Sequence, residues 1–175
     1  MMKILRTGIV LGVLVTGWAL LGILLGWHRD FSPGYLWLII PLEIGILIWG
    51  LRSLASTSGY GRQIVNAVFI SLVAVIVIFP GSLILTRVAF PGYLHEVDVA
   101  MDQMMTKRGL SETQKVGVKL KLYEARGLTK EQAKVAHAFD EPVGSSFQVA
   151  FGQCIGTVLT CLLASLVAAI WFRKR

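Results

Sequence analysis

Charge is scarce in this chain: only 15% of its 175 residues are Asp, Glu, Lys or Arg, while 55% are hydrophobic. A water-soluble globule of this length needs a far more polar surface, so a large soluble catalytic domain is excluded. Cysteine is nearly absent, with Cys154 and Cys161 the two present. Seven residues apart, they lie about 10 Å from each other along a helix, too far for a mutual disulfide, and read as small core residues. No Gly-rich phosphate loop, HExxH, GxSxG or CxxC pattern occurs, which removes the local signatures of nucleotide, zinc-protease, hydrolase and redox chemistry. No cofactor and no metal site is expected. His95, Glu96 and Asp98, like His137, Asp140 and Glu141, lack any tight ligand spacing and read as helix-end charges.

What the chain does have is long apolar runs, over residues 4–27, 35–51, 64–90 and 147–172. The first holds one cation near its start, Arg6, and its 24 residues reach about 36 Å at about 1.5 Å each, enough for a hydrocarbon core of about 30 Å. It ends in Trp27-His28-Arg29 without a small-residue cleavage site, so it reads as a span and not as a removed signal peptide. Tyr35, Trp37 and Trp49 flank the second run as interfacial aromatics do, and Pro80-Gly81 should kink the third. The expected fold is all-α: one four-helix membrane domain over 1–175, with 91–146 a helical insertion between helices three and four.

Lys3, Arg6, Arg52, Arg62, Arg173, Lys174 and Arg175 flank one side of the runs without an acid among them, and these seven equal the net charge of +7. Residues 91–146 carry eight basic and eight acidic residues. Cytoplasmic flanks collect cations, so both termini are expected inside and 91–146 outside. The basic balance then reflects threading and attraction to anionic lipid. Nucleic acid is not an expected partner, because no folded domain carries a clustered basic face.

Small residues recur every fourth position on the last run, at Gly152, Gly156, Thr160, Ala164 and Ala168, and on the first at Gly8, Gly12 and Thr16. Such seams let backbones approach, so these two runs are expected to pack together, or to form a face between two copies. Within 91–146, Arg108-Gly109-Leu110-Ser111 and Arg126-Gly127-Leu128-Thr129 repeat a helix stop followed by a helix start, each with Gln three residues past the Ser or Thr. Helices are therefore expected over 93–108, 111–126 and 129–139. Leu94, Val97, Met101, Met104 and Met105 share one face of the first, a stripe suited to a partner peptide, lipid or a second copy.

Glu43 is the one carboxylate inside any run. Placing its ionised form at mid-bilayer costs roughly 2.5 to 3.5 kcal/mol. Helical rise puts it about 12 Å deep, with Gln153 and Thr157 about 9 and 15 Å deep and Thr16 at a similar level. These four are expected to form a polar cluster. Two functions follow: a non-enzymatic structural or interaction subunit working through 91–146, or a small proton- or cation-coupled transporter or channel using Glu43.

The turn Gly59-Tyr60-Gly61-Arg62-Gln63, the stretch Asn66 to Phe69 and the helix start Leu110-Ser111-Glu112-Thr113-Gln114 resemble the small bacterial four-span membrane proteins of domain-of-unknown-function family 4199. The resemblance implies a bacterial inner (plasma) membrane protein with a periplasmic helical insertion. It implies no activity and no site residue. This chain departs from the family pattern in its second RGL unit and in the neutral balance of 91–146.

Overall fold

The computed structural model describes residues 1–27, 29, 34–55, 60–139 and 141–173, except for the side chains of 34–37, 53, 55, 60 and 169–173. Expectations for His28, Asp30, Gly59, Asp140, Lys174 and Arg175, and for the side chains of Tyr35 and Trp37, lie outside the described residues. The helices are α1 (Met2–Leu24), α2 (Gly34–Ala55), α3 (Tyr60–Ile84), α4 (Tyr93–Lys107), α5 (Glu112–Ala125), α6 (Lys130–Ala138) and α7 (Ser146–Arg173). No strand occurs among the described residues. Met2–Leu24, Gly61–Ala89 and Ser146–Ala168 are long and apolar enough to cross a membrane. They also carry apolar side chains outward, such as Val13, Ile76 and Leu163, each more than half exposed. Helices apolar both within and without are suited to lipid, which marks the chain as a membrane protein.

Helix α3 continues through Pro80 and changes character only afterwards, at a π-helical turn over Leu85–Ala89 where Phe90 N–H donates to the Leu85 carbonyl at 2.8 Å. The Thr86 hydroxyl donates to the Ser82 carbonyl at 2.9 Å within this wider turn.

Both α1 and α7 pack on α3 and on α2, so α1 and α7 stand diagonally across the bundle. The seam of α1 therefore meets α3, and the expected union of the first and last seams does not form. A Cβ at Gly8 would sit 2.6 Å from Val73 Cβ and 2.7 Å from the Ile70 carbonyl, and one at Gly12 would sit 2.7 Å from Val77 Cβ. Only hydrogen fits at these two points. Thr7 lies against Gly50 of α2, while Leu11, Leu47, Leu51, Ile70 and Ile78 are wholly buried with Cys154 and Cys161 in the same core. These contacts bring the start of α1, the end of α2 and the start of α3 together, so Lys3, Arg6, Arg52 and Arg62 gather at one end of the bundle. At the opposite end Arg29 pairs with Glu96 of α4 at 2.9 Å.

Helices α4 to α6 form a small unit at that opposite end. Gly109 (φ 77°) and Gly127 (φ 96°) take the left-handed conformation that stops a helix. Ser111 with Gln114, and Thr129 with Gln132, close complete capping boxes. Tyr123, Ala133, Ala136 and Val143 are its buried centre, with Met101, Leu120 and Leu128 against them. The stripe on α4 turns inward: Met105 is buried, and Leu94, Val97, Met101 and Met104 are half-buried. The chain returning to α7 is tied down by three polar contacts. Tyr123 Oη donates to the Glu141 carbonyl, Arg126 Nη1 to the Pro142 carbonyl at 3.0 Å, and Val143 N–H to Asp98 Oδ2 at 2.8 Å. Burial pushes the Asp98 carboxyl above the usual aspartate range, an effect the Val143 N–H partly offsets.

Two outcomes follow for unfolding of the detergent-solubilised chain. Gly8→Ala should lose about 1 to 3 kcal/mol, because the methyl meets backbone as well as Val73. Asp98→Ala should lose about 1 to 3 kcal/mol by orphaning the buried Val143 N–H, whereas Asp98→Asn keeps an acceptor and should lose little. Folded Asp98 holds its proton more tightly than the unfolded chain does. Stability therefore declines as pH rises from the ordinary aspartate range through the raised folded value, and Asp98→Asn should lack that decline.

Candidate functional site: a cavity between the long helices

The half of the bundle away from the basic end holds a cavity of about 330 Å³. Each long helix gives it one face. Ile39, Ile40 and Glu43 come from α2, and Trp18, Ala19 and Gly22 from α1, spacings of three and four that bring side chains to one side of a helix. Ser82, Leu85 and Thr86 come from the end of α3 and the π-helical turn, Tyr93 from the start of α4, and Gly152, Gln153, Gly156, Thr157 and Thr160 from α7. The floor toward the basic end is the close-packed core around Leu11, Leu47 and Ile78.

Glu43 is 4% exposed. Thr157 Oγ1 donates to its Oε1 at 2.8 Å, and Thr160, three residues further along α7, lines the same cavity. One turn from Thr157, the Gln153 side-chain carbonyl accepts from Ser82 Oγ. Two polar ties therefore converge on one face of α7, the first from α2 and the second from α3. Among the described residues none that lines the cavity is Lys, Arg or His, so these contribute no counter-charge for the carboxyl.

The structure thus brings together Glu43, Thr157 and Gln153 of the expected cluster and leaves Thr16 out. Thr16 packs against Gly81 of α3, and its buried hydroxyl has no hydrogen-bond partner among the described residues. Ser82, Thr86, Tyr93 and Trp18 were not singled out by sequence reasoning. Ser82 and Thr86, four apart in an otherwise apolar run, were the available signal for a polar face on α3.

The seam on α7 divides between two duties. Ala164 and Ala168 are buried in the core. A Cβ built at Gly152 or Gly156 would meet no atom within 4 Å, and these glycines form cavity wall instead of a helix contact. Thr160 stands at the border, half-buried. Among the described residues no three His, Cys, Asp or Glu side chains gather as metal ligands. Glu96 is engaged with Arg29, and Asp98 with Val143.

Substitutions one residue apart on α7 should therefore separate. Thr157→Val removes a donor from a buried carboxyl and should cost about 1 to 3 kcal/mol of stability. Gly156→Ala adds a methyl into open space and a better helix former, so it should be neutral or gain up to about 1 kcal/mol. Thermal unfolding in detergent checks both. No family model matches this chain, and no curated protein or solved structure matches it.

Proposed function

We propose that this is a four-span, non-enzymatic membrane protein that binds a small, largely apolar molecule in the cavity around Glu43. In this reading α2 is the remaining crossing: its 22 residues reach about 33 Å, and it packs with α1 and α7 as a bundle member does. The termini face the cytoplasm and 91–146 lies outside, by the side on which cations gather. The inner membrane of a bacterium is the corresponding location, consistent with the family 4199 resemblance.

The observation that carries the binding reading is a buried carboxyl in the wall of a mostly apolar cavity to which all four long helices contribute. Concave apolar space with a few converging polar groups is what small-ligand sites share. A channel fits less well, because the core around Leu11, Leu47 and Ile78 seals the basic end. Partner binding through the α4 stripe has little surface to work with, since Met105 is buried, Met101 packs on the centre of its own unit, and Leu94, Val97 and Met104 are half-buried.

Cysteine accessibility tests this reading. In a chain with Cys154 and Cys161 changed to Ala, Gly156→Cys should react with a small, charged thiol reagent added from outside to spheroplasts, and Ala164→Cys in the core should not. Reaction of Gly156→Cys only from the cytoplasmic side, or equal reaction of both positions, would overturn it.

A further inference from the structure

We propose that the ligand of this cavity is an organic ammonium ion with a compact apolar body, an inference that rests on the binding reading above. Three features of the wall converge on that chemistry.

The first is charge. Glu43 is only 4% exposed, and among the described residues no basic side chain lines the cavity with it. A carboxylate so placed is compensated by a proton or by a cation that enters the cavity, and the second of these is a ligand. The carboxyl accepts from Thr157 and lines the same space that Gly152 and Gly156 keep open.

The second is the rest of the wall. A hard inorganic cation takes about six or more oxygen ligands. Here the Ser82 hydroxyl donates to the Gln153 carbonyl and the Thr86 hydroxyl to the Ser82 carbonyl, so these oxygens are aimed at one another instead of gathering around a common point with the Glu43 carboxyl. Apart from Glu43 and its neighbours Thr157 and Thr160, the remaining surface is Val, Ile, Leu, Ala, Gly and aromatic. An alkylated ammonium needs no such shell, and its carbon atoms recover the apolar contact. Trp18 and Tyr93 place aromatic rings in the same wall, where a cation is attracted to a ring face.

The third is size. An apolar cavity of about 150 Å³ holds one benzene, so 330 Å³ accommodates a body of about two such groups. Benzyltrimethylammonium is of that order, and neopentylbenzene has the same shape with carbon in place of the charged nitrogen.

Binding of radiolabelled benzyltrimethylammonium to the full detergent-solubilised chain decides the matter. Saturable binding is expected, weakened about tenfold or more in Glu43→Gln, abolished in Gly156→Leu, and displaced about tenfold less well by neopentylbenzene than by the unlabelled cation. If neopentylbenzene displaces as well as the cation and Glu43→Gln binds like wild type, while Gly156→Leu binds nothing, the cationic class is wrong and the cavity remains a binding site. Displacement by millimolar sodium would overturn it in favour of an inorganic ion. Absence of saturable binding by either compound would remove both this inference and the reading beneath it. Should Glu43→Gln fail to fold, the comparison of the two compounds on the unaltered chain decides alone.

Discussion

An ionisable carboxyl inside an apolar bundle has to find its partners within the protein, because lipid offers none. In this chain Glu43 finds Thr157, 114 positions away in sequence, and that bond ties α2 to α7. Replacing a hydrophobic contact by a hydroxyl–carboxyl bond gains little in net stability. Leaving the carboxyl unpaired would cost far more, so the register of α2 against α7 is constrained by the penalty for breaking the bond.

The same constraint explains why the bundle is uneven along its length. Toward the basic end, Gly8 and Gly12 let α1 settle against the backbone of α3, and Thr7 lies on Gly50. Without a hydrophobic drive between helices in lipid, dispersion at such close approaches is what holds them. Toward the other end the small residues of α7 have no backbone opposite them. Gly152 and Gly156 face open space, bordered by the Glu43–Thr157 and Gln153–Ser82 ties. One seam therefore gives packing at Ala164 and Ala168 and a cavity wall at its glycines.

The unit of α4 to α6 is built on different physics. Its helix ends are set locally by glycines at positive φ and by reciprocal Ser–Gln and Thr–Gln caps. Its small buried centre is supplemented by polar ties, and the Asp98 to Val143 bond holds the connection into α7. Arg29 reaches the unit from the link between α1 and α2, and Tyr93 joins it to the cavity wall.

Much of this was legible in the sequence because it depends on near neighbours. Helix stops and starts around Arg108-Gly109 and Arg126-Gly127 follow from backbone conformation and hydrogen bonds three residues long, and the apolar runs follow from composition. Glu43, Gln153 and Thr157 could be set at similar depths by counting rise per residue. Depth along an axis leaves rotation about it undetermined, which is why Thr16 fell in with them on paper and faces Gly81 in space. Which seam meets which helix was likewise undetermined: equal spacing of small residues on α1 and α7 says that a backbone can come close, and only the bundle decided that α3 does so for Gly8 and that nothing does for Gly156. By itself the sequence determined the helices, their caps and the sorting of charge, all short-range or compositional properties. The cavity came from tertiary structure alone, because a void is defined by what several distant segments leave unfilled between them.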